Sequence, residues 1–409
     1  MNSKELFSLA LGVSSPWYVE DVSFCGEGLS KTLEIRMGFE RGYRFIDPDS
    51  GTPCSVHDTM DRQWRHLNFF EHACHIHCKV PRIRTPDGKV KQVEVPWARA
   101  GSGFTLMFEA YSMLLVESEM PVNKAAHILK EYPNRIWTIF NYWIGIAYSE
   151  ADHSGIKTLG IDETSAKKHH RYVTLAVDMD KRSVVHVTEG KGADTITAIS
   201  AHLQAKGSPP EGIEQVCIDL SPAFISGVGA EFPNAKITFD RFHVKKLLNK
   251  AMDEVRLKER RKHQALKGHK YTFLKGDKRL SPERRGQRET LLELFPILGE
   301  AYRLKELFDD FWDMQDPDEA GAFLQYWCDL AHDAAIDPFI AFANTVQAHW
   351  SGIVNYITSR ISNGVLEGIN SKIQLAKRRA RGFRNTTNFI NMIYFTCGKI
   401  KFNYPQYST

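Results

Sequence analysis

Apolar and polar residues alternate along the first hundred positions, in Leu33-Glu34-Ile35-Arg36-Met37 and again in His75-Ile76-His77-Cys78-Lys79-Val80. Period-two alternation marks half-buried strands, and Pro48-Asp49-Ser50-Gly51 and Pro86-Asp87-Gly88 punctuate it as turns. Residues 1–100 therefore read as a small β module, opened by a short amphipathic helix capped near Ser3. From about Phe104 to Tyr148 the pattern becomes helical. Pro121 to Leu129 and Asn134 to Trp143 read as two helices either side of Tyr132-Pro133, which predicts a helix-turn-helix within residues 101–150; a plain helical hairpin is the alternative. Lys124, Asn134 and Arg135 are its candidate DNA contacts.

From Thr158 onward strand-like and helix-like runs alternate. Thr158 to Asp162, Tyr172 to Asp178, Ser183 to Thr188, Gln215 to Asp219 and Lys236 to Phe239 predict strands. Asp194 to Gln204 and the start at Ser221-Pro222-Ala223-Phe224 predict helices between them. Three strands, a helix, a strand, a helix and a strand follow the order of the ribonuclease H-like fold, although periodicity does not separate it from other α/β domains. On this reading residues 151–243 form the first part of an α/β catalytic domain. Residues 244–350 form a charged helical insertion, and 351–409 the domain's last part.

Composition narrows the picture modestly. With 409 residues the chain exceeds one ordinary core, and 43% hydrophobic and 25% charged residues describe a soluble globular protein. A net charge of +4 does not by itself call for nucleic acid. The charge is uneven, however, with basic runs at Arg260-Arg261-Lys262 and Lys377-Arg378-Arg379-Ala380-Arg381. Seven cysteines, an odd number without a compact framework, point to reduced thiols and a cytoplasmic location. The apolar stretch Leu9 to Val13 is too short to span a membrane.

The candidate chemistry lies in three carboxylates. Asp162 and Asp219 each end a strand-like run, behind Gly160-Ile161 and Ile218, and Glu367 lies on a helix that Ser362 or Asn363 can cap. Carboxylates from separate elements suit Mg²⁺, which takes hard oxygen ligands and keeps positions for water and phosphate. An Asp at a strand end is by itself an ordinary turn residue; the ordered set of three is what signals chemistry. A carboxylate near a helix start is electrostatically favoured, and Asn370 and Ser371 share its face. Gly368 costs roughly 1 kcal/mol against Ala inside a helix. Close approach of a backbone or of DNA would account for it. Lys372, Lys377, Arg378, Arg379 and Arg381 are candidates to grip phosphates. Trp312, Trp327 and Trp350 could stack on unpaired bases, with core packing the simpler reading.

Gly160-Ile161-Asp162-Glu163, Asp219-Leu220-Ser221-Pro222, Asp240-Arg241-Phe242-His243-Val244, Ser362 through Asn370 and Ala380-Arg381-Gly382-Phe383 together resemble the DDE transposases of bacterial insertion sequences, specifically the ISL-three family. Trp64 to Phe70 and Val95-Pro96-Trp97-Ala98 resemble that family's front module. The resemblance implies Asp162, Asp219 and Glu367 as ligands of two Mg²⁺ (or Mn²⁺) ions, with Asp240 and His243 as accessory residues. It implies double-stranded DNA as partner, both terminal inverted repeats and target, and a homodimer or larger synaptic assembly. The front module departs from its family's zinc ribbon, because the expected cysteine positions fall near Asp47, Ser50 and Thr85. Cys54, His57, Cys74 and Cys78 are possible substitutes. Four-residue spacing within a strand is not a usual chelate, so a metal-free module is expected. A DNA-binding protein that has lost transposition, and a two-metal structure-specific nuclease, are the alternatives.

Overall fold

The alternation of the first hundred residues is realised as a five-stranded sheet. The computed structural model describes residues 2–28, 31–167, 171–276, 280–361 and 364–404. It divides the chain into two units, residues 1–150 with 400–409, and residues 151–399.

The first unit opens with α1 (Ser3–Ala10). Its cap is Asn2, one residue before the predicted one, because Asn2 and Glu5 exchange side-chain and backbone hydrogen bonds in a capping box. Then follow β1 (Trp17–Cys25), β2 (Thr32–Phe39), the short pair β3 (Phe45–Ile46) and β4 (Pro53–Cys54), β5 (Val56–Phe69), β6 (His72–Arg84) and β7 (Val90–Gln92). The main sheet runs β1-β2-β6-β5 with β7 added to β6, and β2 lies parallel to β6. Leu33, Ile35 and Met37 of β2 and Cys74, Ile76, Cys78 and Val80 of β6 face a core that includes Trp17, Trp64 and Trp97.

Three helices complete this unit: α2 (Leu106–Glu117), α3 (Val122–Ile128) and α4 (Pro133–Ser149). Buried Arg65 ties β5 to the turn between α3 and α4, donating to the carbonyls of Cys74 (3.2 Å) and Leu129 (3.4 Å) and facing Glu131 at 3.6 Å. The end of the chain joins this unit rather than the segment 351–409. Tyr404 packs edge-on against Trp143 and donates its hydroxyl to Glu117.

The second unit begins with β8 (Thr158–Lys167), β9 (Arg171–Asp178), β10 (Ser183–Glu189), α5 (Ala193–Ala205), β11 (Gln215–Ile218), α6 (Pro222–Glu231) and β12 (Lys236–Phe239). The sheet order is β10-β9-β8-β11-β12, antiparallel across the first three strands and parallel from β8 through β11 to β12. β8 is longer than predicted. It pairs with β9 beyond Asp162, through Ser165 opposite Tyr172 and Lys167 opposite Arg171. A hairpin partner sustains the strand where the apolar run stops.

Helices α7 (Arg241–Lys262), α8 (Lys270–Leu274), α9 (Pro282–Leu294), α10 (Pro296–Asp310), α11 (Pro317–Asp333), α12 (Asp337–Ala348) and α13 (Trp350–Ser359) come next. α14 (Gly364–Arg379) and α15 (Thr386–Cys397) close the unit. The predicted insertion is helical, but it shares one core with the sheet: Ile161, Ile218 and Phe239 belong to the same apolar cluster as Leu248, Phe308, Trp312, Trp327 and Phe342. Trp312 and Trp327 are 1% and 0% exposed, and Trp350 is half-buried against that cluster, which is the core packing that was the simpler reading of these residues rather than a base-stacking surface. Among the described residues no helix is long and apolar enough to cross a membrane.

Candidate active site

β8 and β11 pair in parallel from Thr158 opposite Gln215 to Gly160 opposite Cys217. Continuing that register two residues sets Asp219 beside Asp162, on strands about 4.8 Å apart. β11 ends at Ile218, and Asp219 turns the chain into α6 by accepting the backbone N–H of Ser221 at 2.9 Å. Asp162 lies where pairing to β11 has ended while pairing to β9 goes on, opposite Leu175. The sheet therefore opens on one side of this carboxylate only. On the other flank of β11, Asp240 follows β12 and caps α7 by accepting from Phe242 N at 2.7 Å. Its Oδ2 stands 3.1 Å from His243 Nδ1 without hydrogen-bond alignment.

Glu367 is brought to this edge by a seam between α14 and β8. Leu366 packs over Gly160, where an added Cβ would lie 2.5 Å from Met179 Sδ and 3.0 Å from Leu366 Cδ2. One turn on, Asn370 Nδ2 donates to Asp162 Oδ2 at 2.6 Å. Further along the same face, Gln374 donates to Thr164 Oγ1 (3.0 Å) and Lys377 Nζ to the Ser165 carbonyl (2.6 Å). Positions 366, 370, 374 and 377 form one helical stripe. Glu367, in the first turn, is exposed beside it. The predicted caps Ser362 and Asn363 lie outside the described residues. A methyl group added to Gly368 would meet no atom within 4 Å among the described residues, so none of them makes the close backbone approach that was one reading of this glycine.

The electrostatics join these groups. Burial pushes the Asp162 carboxyl above the usual range, opposed by the Glu163 N–H, by His243 and by Asn370, and reinforced by Asp219. Asp240 is likewise raised by burial, opposed by Phe242 N and His243, with Asp162 and Glu367 adding to the rise. Asp162, Asp219, Asp240, His243 and Glu367 thus feel one another across the strand ends. Among the described residues no three His, Cys, Asp or Glu side chains stand placed to hold a metal ion. Asp162 and Asp219 lie at the ends of adjacent paired strands, and Glu367 faces solvent. The donor chemistry, oxygens with one nearby imidazole, fits Mg²⁺ or Mn²⁺. A further oxygen, Asn370 Oδ1, is buried with no partner at this edge.

The candidate DNA contacts divide in two. Lys124 and Asn134 are exposed on α3 and at the start of α4, whereas Arg135 holds Glu131 through two hydrogen bonds (2.8 and 2.9 Å) and lies over the Phe104 ring. Lys372, Arg378, Arg379 and Arg381 are exposed on α14 and just beyond it. Lys377 differs, because its ammonium is engaged by the Ser165 carbonyl inside the seam.

The substitute zinc ligands are not brought together. Cys74 and Cys78 point into the core from one face of β6, where burial pushes both thiols up to about 12, and Cys54 is buried in its own short strand. His57 lies at the start of β5. The two turns that would carry a ribbon's ligands are closed without them. Asp47 accepts from Ser50 Oγ (2.6 Å) and from Lys91 Nζ (3.1 Å), and Lys91 also bonds Asp49. Thr85 donates to the Lys89 carbonyl at 2.9 Å. An ammonium ion supplies the positive charge that this buried aspartate needs.

Asn370 is the site residue whose role the sequence left unread. Its spacing from Glu367 was visible, but its partner lies 208 positions away. Glu163 is a second, its carboxyl raised by burial beside Asp162 and Asp219.

An α/β unit bearing strand-end carboxylates, in the same chain as a helix-turn-helix, has the make-up of a transposase. Residues 159–393 match a family described as transposase, and residues 93–144 match the helix-turn-helix domain of transposase family ISL3. The chain belongs to transposase family ISL3. It is 27% identical over 352 residues to the transposase for insertion sequence element IS1001 of Bordetella parapertussis, covering 83% of this chain and 85% of that one. To the transposase for insertion sequence element IS1557 of Mycobacterium tuberculosis it is 25% identical over 438 residues, covering 97% and 96%.

Proposed function

We propose that this transposase cuts the ends of its own element by hydrolysis and joins the freed 3′-hydroxyls to target DNA, using Asp162, Asp219 and Glu367 as its metal-binding carboxylates. The observation that supports this reading is the parallel pairing of β8 with β11, whose last pair, Gly160 opposite Cys217, lies two residues before Asp162 and Asp219. The strand order β10-β9-β8-β11-β12 supports a ribonuclease H-like fold for residues 151–399. Mg²⁺ or Mn²⁺ bound there would supply Lewis acidity at the scissile phosphate and an activated water. Asp162 and Asp219 hold fixed positions from the strands, while exposed Glu367 reaches in from the start of α14. Asp240 and His243 flank the carboxylates as a pair at the start of α7, 3.1 Å apart. Phe242, 54% exposed beside that pair, offers a ring to an unstacked base.

α3 and α4 bind terminal-repeat duplex through Lys124 and Asn134, and Lys372, Arg378, Arg379 and Arg381 track the phosphates beside the site. Bringing two DNA ends together calls for at least two copies of the chain. The test is cleavage of terminal-repeat DNA in Mg²⁺ by Asp162→Asn, Asp219→Asn and Glu367→Gln. Each is expected to lose cleavage while still shifting the same DNA in a gel. Retained cleavage by any of them removes that residue from the set.

A further inference from the structure

Asp162 has both carboxylate oxygens occupied: Oδ1 accepts from Glu163 N at 2.7 Å and Oδ2 from Asn370 Nδ2 at 2.6 Å. An ionised carboxylate can only accept, so Asn370 must turn its N–H toward Asp162 and carry its oxygen away from it. That oxygen is buried and has no partner among the described residues. A buried acceptor without a donor is costly and calls for an account. It sits one bonded carbon from the nitrogen that touches Asp162, so any donor that satisfies it stands beside that carboxylate. The described residues provide none, and a donor brought by the substrates would satisfy it. The incoming group in both steps of the proposed reaction is a hydroxyl, of water first and of a DNA 3′ end second.

We propose that Asn370 is a positioning residue for both steps: its amide nitrogen holds Asp162 in its ligating orientation, and its amide oxygen orients the attacking hydroxyl by accepting its hydrogen bond. The inference rests on the two-step chemistry proposed for this site. An amide oxygen is too weak a base to take the proton, so Asn370 aligns the nucleophile and does not deprotonate it. The two other polar ties of the seam set the contrast. Gln374 and Lys377 make the same kind of helix-to-strand bond, to Thr164 and Ser165, farther along the strand from Asp162.

The experiment compares the full chain with Asn370→Ala and Gln374→Ala, after melting curves confirm that each is folded. Asn370→Ser, which keeps a small polar side chain, replaces the alanine variant if that one does not fold. Mn²⁺ affinity is read without DNA, from the electron paramagnetic signal of the free ion, and cleavage of terminal-repeat DNA is then timed at saturating Mn²⁺. Asn370→Ala is expected to bind Mn²⁺ about 10–100-fold more weakly, the usual cost of removing a group that orients a ligand. It should still cut slowly at saturation, because the hydroxyl is no longer aligned. Gln374→Ala is expected to match the parent in Mn²⁺ affinity. Parent-like affinity and rate in Asn370→Ala overturn the proposal, as does an equal loss of affinity in Gln374→Ala, which would assign the effect to seating of the helix. A parent chain that neither binds Mn²⁺ nor cuts fails at the earlier step, and takes the two-step chemistry down with this inference.

Discussion

Gly160 shows how tightly the site is built at single residues. An added methyl would press on Leu366, which precedes Glu367, and on Met179. Both neighbours are flexible, so the fold should survive at a cost of about 1–3 kcal/mol. The helix would shift, and displacement near 1 Å at a reacting centre can cost about 10²-fold in rate. Gly160→Ala is thus expected to lose far more cleavage than stability, as seen by comparing rate with melting temperature; losses in proportion would deny that α14 is the part that moves. Arg65 makes the opposite case, a residue placed for structure. Arg65→Met removes the donor to the carbonyls of His66, Cys74 and Leu129 and to Asn68, along with one partner of Glu131. The cost should be about 3 kcal/mol, at the low end for a broken buried pair because Arg135 still holds Glu131. Chemical denaturation of residues 1–150 measures it directly.

Among elements, the strands and helices that carry the carboxylates were legible in the sequence, because apolar runs ending in Asp and the helical pattern around Glu367 are local signals. The extension of β8 was not, because pairing with β9 rather than its own apolar pattern sustains it. Nor was the single core shared by the sheet and the insertion, which depends on helices folding back over the sheet. A cluster of three histidines also escaped notice, since His153, His186 and His202 lie on a loop, a strand and a helix. His153 Nδ1 stands 3.1 Å from His202 Nε2, and His186 stacks on His202 at 4.3 Å. Burial pushes His153 and His186 down to about 4, and lowers His202, with the neighbouring imidazoles and Lys206 adding to the effect. The folded chain therefore holds these rings neutral, while the unfolded chain takes up protons near 6.5. Stability is present in full above about 6.5 and is lost as pH falls toward 4. The melting temperature of the parent should drop across that window, and His186→Phe should flatten the drop. A melting temperature constant from 6.5 to 5 would contradict this account.

For the whole molecule, the division of labour between the two units predicts that metal removal separates their activities. In the front module Lys91 donates to Asp47 in one turn and Thr85 to the Lys89 carbonyl in the other. A chelator should therefore leave the melting of residues 1–150 and the gel shift of terminal-repeat DNA unchanged while it abolishes cleavage. Chelator-induced loss of DNA binding would mean that the first unit needs metal after all. Within residues 151–399 the sheet and the helices of the insertion share one core, so they should unfold together. The seam between α14 and β8 carries this cooperativity to the site. A helix advances about 100° per residue, so a slip of one position breaks the Asn370, Gln374 and Lys377 bonds together and lifts Leu366 off Gly160. Faulty alignment breaks these contacts all at once rather than by degrees. On the proposed assignment of Glu367, a chain with this seam out of register would also lack its third carboxylate at the strand ends.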